Sequence, residues 1–515
     1  MSSAMASCSA QTTPSSSTAT SRRASSELHL AKDGAVIDEK VTPSYTLHPP
    51  SLLSPATWSL TQRLLQSLLI CLAAVPASFG SSLFSGGLAL HSLSSSFHVS
   101  PQVGILATSL FILGLAIGPV LGSALSETQG RKKLLVLPPL ASVFFGLMAT
   151  TTLHFPVFLA ARFLQGLLGA TPVSVGGASL VDIWGGAYAT TWPLACMLLF
   201  SFSGAIVSPT FVSLLLPLSD WRSAGWACVL FGAGVALLLA CALRETHEGT
   251  LLQRQACALR IETGEWAWHA PADLVHTDVK RLVHVYLARP LVMLARELML
   301  ALLSIYVAFV FSLLYLLFGA YPRVFASLHW TPLASSLALL PVLLGLLLGV
   351  LLHLLFVPRL HRRRCAGACV PEDRLLPLGL GAVLFAAGLL LFSLSIPSSS
   401  SSTAPMPASL AAASPLLASG LLTGAGFLLV LLSSLCWSVD VYAAHSASAL
   451  AANAALRGVL GAVMPLLAKP MFEALTVRTS MLLLTGIAGA LCTLPPLFFL
   501  YGARLRQRSS FAVQP

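Results

Sequence analysis

The nine residues LSETQGRKK, 125–133, gather Glu127, Arg131, Lys132 and Lys133 around one glycine, in a chain of which only 9% is charged. Gly130 can take the positive φ that a tight turn between two helices requires. Cations alone would hold such a loop on one side of a membrane, so Glu127 calls for a further role. Its carboxylate can face the start of the helix near HSASALAAN, because helix N-termini favour anions by about 0.3–1 kcal/mol. Arg131 can pair with Asp182, which closes another apolar run. Contacts of this kind would shut one mouth of a membrane protein and break when it opens. Glu127, Gly130, Arg131 and Asp182 are therefore gating candidates, together with Arg457, a cation available to anchor Asp440.

Other polar groups stand within long apolar runs. Arg162, in RFLQG, has no evident acidic partner there. An intramembrane guanidinium is costly and marks a functional candidate; the alternative is a side chain that snorkels to the headgroups. With Gln165 beside it, Arg162 could bind an acidic or carbonyl-rich substrate or modulate a proton step. Asp440, in CWSVDVY, and Asp182 are the carboxylates available to carry a proton. Asp182 is expected to be tied to Arg131, which leaves Asp440 as the better carrier, with a plain helix-end anchor as the alternative. Tyr306, Tyr315 and Trp437 are candidate cavity residues that could equally face neighbouring helices. His353 is expected to be a packing or edge residue. No cofactor is expected. Cys365 and Cys369 are expected to be reduced and inert rather than metal ligands, and the remaining cysteines to pack rather than to form disulfides.

The elements that must position these groups follow from composition. The chain has 515 residues, 56% of them hydrophobic, and a mean hydropathy of +0.84. Apolar runs fall near 62–90, 103–125, 133–153, 156–183, 190–216 and 223–243, then 295–320, 332–357, 375–396, 414–440, 447–472 and 478–501. About 20 apolar residues cross a hydrocarbon core. The expected fold is an all-α polytopic membrane protein with twelve transmembrane helices in two pseudo-symmetric six-helix bundles. The expected organisation is a disordered cytosolic tail (1–60), a first bundle (61–244), a cytosolic central loop with an amphipathic helix ending at Gly264 (245–294), a second bundle (295–503) and a cytosolic tail (504–515). The polar, Ser/Thr-rich N-terminus carries no cleavable signal. Alternate loops hold Arg131, Lys132 and Lys133, then residues from Arg244 to Arg296, Arg359, Arg362–Arg364 and Arg374, and finally Arg504, Arg506 and Arg508. The other loops carry Arg222, Arg323 and Arg478. This asymmetry places both termini in the cytosol. It also accounts for the net charge of +11 without nucleic acid as a partner. Asn453 begins no glycosylation sequon.

SLFILGLAIGPVLGSALSETQGRKK, RFLQGLLGATPVSVGGASLVDIW, LRETHEGTLLQRQACALRIETGE and SALAANAALRGVLGAVMPL, in that order, resemble the major facilitator superfamily. Within it they resemble the fungal branch of twelve-helix drug:proton antiporters, of the polyamine and multidrug exporter type. The resemblance covers roughly residues 58–505. It implies a cavity between the two bundles, alternating access by rocking, protons as the coupled ion, and a cavity lined from the seventh and tenth helices. HRRR at 361–364 sits where the second half would repeat the loop motif. The fifth helix keeps Gly204 and Pro209 of the family's small-residue packing motif, while Ser208, Val212 and Ser213 depart from it. Gly319, in LFGAYP, replaces the acidic residue common in polyamine exporters. No carboxylate is expected at the bilayer midplane, where a polycation would need one. The expected function is secondary-active export of an amphiphilic or weakly acidic small molecule, such as a drug, a glycolipid or an organic acid, by proton antiport. The alternatives are an importer or uniporter on the same fold, a non-transporting sensor, or a membrane-embedded acyltransferase. The last lacks a catalytic constellation within the spans, so no enzyme is expected. The expected setting is a monomer in the plasma membrane, with the vacuolar membrane as the alternative.

Overall fold

The computed structural model describes residues 45–46, 55–185, 190–264, 266, 268–270, 288–365, 371–396, 410–442, 445–507, 509 and 511. Among the described residues, twelve helices are long and apolar enough to cross a membrane. In chain order they are α1 Leu60–Ser81, α2 Pro101–Ser126, α3 Arg131–Thr151, α4 Phe155–Trp184, α5 Thr191–Leu215 and α6 Trp221–Ala242. The second six are α7 Leu298–Ser327, α8 Pro332–Leu360, α9 Pro371–Ser395, α10 Ala413–Val441, α11 Ser446–Ala474 and α12 Val477–Gln507. Number and order match the apolar runs, because a segment in lipid must satisfy its own backbone hydrogen bonds and a helix does so.

Three boundaries differ from the apolar pattern; one is that α7, expected to end near residue 320, runs on to Ser327. The first run was expected to reach residue 90, but α1 ends at Ser81 and a separate helix covers Gly87–Ser96. The glycine pair at 86–87 interrupts the run without making it polar. At the far end α12 continues to Gln507, so Arg504 and Arg506 belong to the helix and not to a tail. Their long stems let basic residues extend a helix past the apolar run. Residues 1–44 and Arg508 lie outside the described residues, as do the side chains of the Cys365 and Cys369 pair.

Between the halves a helix runs from Glu248 to Thr263 and closes at Gly264, whose φ of +70° ends it in the left-handed region. A two-residue parallel pairing joins Tyr45–Thr46 to Trp268–His269 beyond it. The amphipathic helix Arg289–Arg296 then leads into α7.

Small residues set the packing of both halves in the same way. In α2 a Cβ on Gly114 would sit 2.6 Å from the Leu167 nitrogen of α4. In α8 a Cβ on Gly345 would sit 2.9 Å from the Ala425 nitrogen of α10. Each glycine is followed four residues later by another, Gly118 and Gly349, pressed against the same partner helix. Glycines at this spacing let backbones approach closely, and their recurrence at equivalent places expresses the pseudo-symmetry of the halves. The helices α7 and α10 are the most enclosed, with 78% of their apolar window buried, against 22% for α12. The largest apolar core fills the second half and reaches into the first through Ile112 of α2 and Leu198, Phe202 and Ile206 of α5.

Gly204 packs α5 onto α1, where a Cβ would stand 2.7 Å from the Val75 carbonyl oxygen; Pro209, one turn further, is buried. Gly204→Leu should lower the unfolding temperature in detergent and the yield of monodisperse protein, because overpacking forces the helices apart. Gly234→Ala, where nothing lies within 4 Å of the added atom, should leave both unchanged.

Candidate functional site

The ends of α1 and α12 that lead to the chain termini lie on one face, here termed the terminal face. Gly130 turns the chain there from α2 into α3 with φ +88°. A side chain at that position would meet the Glu245 carboxylate, since a Cβ would fall 2.7 Å from its Oε2. Glu245 accepts hydrogen bonds from the backbone N–H of Arg131 at 2.8 Å and of Lys132 at 3.3 Å. It also accepts from Thr246 and His247, each at 3.1 Å. One buried carboxylate thus caps both α3 and the start of the central helix, where unsatisfied N–H groups and the helix dipole favour an anion. Arg131 turns the other way: its Nε donates to Asp182 at the end of α4 at 3.2 Å, and its guanidinium donates to Ser126 of α2 at 2.5 Å. The ends of α2, α3, α4 and α6 are joined in one network.

The second half builds a counterpart from different residues. Arg374, at the start of α9, donates from Nε to Asp440 near the end of α10 at 3.0 Å. This repeats the α3–α4 pairing of Arg131 with Asp182. Arg506 of α12 grips Glu372 with two hydrogen bonds of 2.9 and 3.0 Å, and Arg363 pairs with Asp373. Bidentate pairing of this kind is the strong, geometrically specific form. Removing one partner of a buried pair costs about 3–5 kcal/mol. Nearby, Tyr442 donates to Glu297 at 3.5 Å. Burial, with the Glu297 carboxylate beside it, pushes its hydroxyl above the usual tyrosine range and keeps it a neutral donor.

The residues expected to gate are distributed differently from the sequence reading. Gly130, Arg131 and Asp182 meet as described. The Glu127 side chain lies outside the described residues. Asp440 is anchored by Arg374 and not by Arg457. Arg457 follows Ser446 by eleven residues, roughly 16 Å along α11, far from the terminal face. Glu245, Glu372, Arg374 and Arg506 escaped the sequence reading, although PEDR at 371–374 follows the HRRR run at the position equivalent to the first loop.

Arg162 is fully enclosed within the first half, at 2% exposure. It donates to the carbonyl of Gly80 at 2.7 Å, to that of Ala107 at 3.3 Å and to Gln165 Oε1 at 2.9 Å. Its guanidinium also lies 4.3 Å from the Phe111 ring centre. It ties α1, α2 and α4 together and does not snorkel. Trp437 stacks on Phe498 of α12 within the second half, and Tyr306 is buried in the same core. His353 is buried, its Nδ1 3.3 Å from the Ser433 hydroxyl.

The halves meet through neutral contacts toward the opposite face. Gln102 donates to the Leu466 carbonyl at 2.8 Å. Thr210 donates to the Ser336 carbonyl at 2.9 Å, and the Ser213 and Ser336 hydroxyls are 2.6 Å apart. Tyr315 of α7 donates to Ser81 of α1 at 3.1 Å. Between these contacts lies an aromatic cluster of Phe202, Phe311, Tyr315 and Phe427, with Arg457 at its edge, 5.2 Å from the Phe311 ring centre. Among the described residues no group of three or more His, Cys, Asp or Glu could hold a metal ion.

Residues 70–413 match the family model described as Major Facilitator Superfamily. The chain is 31% identical over 468 residues to the multidrug transporter TPO1_2 of Candida glabrata, covering 90% of this chain and 78% of that one. It is 31% identical over 461 residues to the major facilitator superfamily multidrug transporter FLU1 of Candida albicans, covering 88% and 73%. It is likewise 31% identical over 467 residues to the efflux pump bik6 of Gibberella fujikuroi, covering 89% and 93%. Among solved structures, the proton:xylose symporter XylE matches with a TM-score of 0.60 at 14% identity, over 86% of this chain and 96% of that one. At that identity the match speaks for the fold.

Glu245→Gln keeps size and shape but removes the anion that caps two helices. It should destabilise the protein by about 1–2 kcal/mol, seen as a lower unfolding temperature. Glu248→Gln, one turn away and outside the network, should change it far less.

Proposed function

The chain belongs to the major facilitator superfamily, and from that premise we propose that it exports an amphiphilic or weakly acidic small molecule by proton antiport with alternating access. It is a multi-pass membrane transporter with twelve spanning helices, not an enzyme. The names of its relatives, multidrug transporters and an efflux pump, favour outward movement.

The observation that carries the substrate class is the placement of charge. Among the described residues, every acidic residue falls in a loop, in the helix between the halves or in the terminal turns of a span. The charges deeper in the spans are the guanidinium groups Arg162 and Arg457. A multivalent cation in such a pathway would have to shed water without a carboxylate to pair with. An uncharged amphiphile or an anion meets no such cost. By the positive-inside rule the terminal face, with its arginines and lysines, is cytosolic, in the plasma membrane with the vacuolar membrane as the alternative. The partners are the substrate, protons and the bilayer, and the protein works as a monomer.

Alternating access on this reading is rocking of one half against the other. The ion networks at the terminal face, gate residues Arg131 and Asp182 among them, lie within each half, whereas the contacts toward the opposite face join the halves. Asp182 and Asp440 are each paired with an arginine, which gives each carboxylate a structural role that needs no proton. That pairing favours a uniporter as the second reading.

Both readings are tested by efflux from vesicles at a fixed substrate gradient while the pH difference is varied. Proton antiport requires that an inwardly directed proton gradient accelerate efflux by the wild type. If Asp440 carries the proton, Asp440→Asn loses the acceleration and still binds substrate. Equal acceleration in both leaves Asp440 an anchor for Arg374, and no acceleration in either makes the protein a uniporter. Spermine should not be exported in any of these assays.

A further inference from the structure

The two intramembrane arginines differ in how their charge is met. Around Arg162 the described structure supplies three oxygen acceptors from α1, α2 and α4, all within one half. Around Arg457 it supplies an aromatic face: the guanidinium lies over Phe311, and its Nη1 is buried with no hydrogen-bond acceptor among the described residues. Leaving a charged donor unmet in a low-dielectric site is costly, so the position demands an acceptor from elsewhere.

Its surroundings indicate what that acceptor belongs to. Arg457 sits where α11 of the second half touches α2 of the first: a Cβ on the adjacent Gly458 would stand 2.7 Å from the Ala116 Cα. The partly buried side chain therefore stands at the joint that parts when the halves rock. Phe311 also packs against Phe202 of α5, with ring centres 6.0 Å apart and at 70°. Phe202 in turn meets Phe427 of α10 at 4.8 Å and 84°. Edge-to-face rings drawn from both halves thus meet beside the guanidinium, and aromatic faces of this kind pair favourably with a further ring when the halves part. A guanidinium at the edge of those rings matches a carboxylate, with two parallel hydrogen bonds in a plane.

We propose that Arg457, with Phe311 and Phe202, forms an anion-binding subsite between the halves, and that its ligands are planar aromatic acids. The acid group takes the guanidinium and the ring lies among the phenylalanines. The proposal rests on the transporter reading and narrows its substrate class. It moves Arg457 from a gate to the substrate pathway and leaves Arg162 as a positioning group for α1, α2 and α4.

The test measures binding of 2-naphthoate and of its neutral isostere 2-naphthamide to the full chain in lipid nanodiscs. The wild type should bind the acid at least about tenfold more tightly than the amide, the size expected for one charge-assisted pair. Arg457→Gln should abolish that ratio while changing amide affinity by no more than about twofold. Phe311→Leu should weaken both probes together and preserve the ratio. If Arg457→Gln does not give folded protein, Arg457→Lys, which keeps the charge but loses the planar fork, should reduce the ratio. Equal affinities in the wild type, or an unchanged ratio in the Arg457 variant, overturn the proposal. Vesicle efflux separates this from the transporter reading. Preferential acid binding without transport contradicts export alone, and export without acid preference contradicts the subsite alone.

Discussion

Charge is costly in the hydrocarbon of a bilayer, and the arrangement of this protein follows from where that cost is avoided. Among the described residues nearly every ion pair sits at the terminal face, where helix ends supply partners and water is near. There the charges let each half tie its own helix ends together. Glu245 is the clearest instance, because a single carboxylate accepts from the starts of α3 and of the central helix. That geometry needs Gly130 beside it, since any larger residue would collide with the carboxylate oxygen. The stretch LSETQGRKK is thus one side of a capped turn whose other side is Glu245, more than a hundred residues away.

A difference in kind separates contacts within a half from contacts between halves. Within each half, charged pairs such as Arg506 with Glu372 resist separation. Between the halves stand hydroxyl and amide hydrogen bonds, each contributing about 0.5–1.5 kcal/mol net, and apolar side chains that can slide. Two stiff bodies joined by weak neutral contacts are suited to rocking about their interface. Arg457 stands in that interface, so the proposed rocking would change its surroundings, whereas Arg162 is held within its own half.

The spans were legible in the sequence because hydropathy over about 20 residues reports a local property. The turn at Gly130 and the helix stop at Gly264 were legible for the same reason. What the sequence concealed were pairings over long separations: Arg131 with Glu245, Arg374 with Asp440, Arg506 with Glu372. In each, one partner is an unremarkable charge in a loop or in the end turns of a helix. The two arginines within spans looked alike as residue types. The carbonyls of Gly80 and Ala107, on helices brought together by folding, distinguish Arg162, and nothing near it in the chain announces them. The internal repeat offered a route to the second network: once Arg131 and Asp182 are paired, PEDR and Asp440 occupy the equivalent places.

The claim on which the rest depends is that the two halves move as rigid bodies, each locked at the terminal face. Spin labels at the exposed positions 133 and 244 in the first half and 362 and 504 in the second allow distances to be measured by double electron–electron resonance with and without substrate. The account predicts that the 133–244 and 362–504 distances stay fixed while the 133–362 and 244–504 distances shift. Comparable shifts within and between the halves would contradict it.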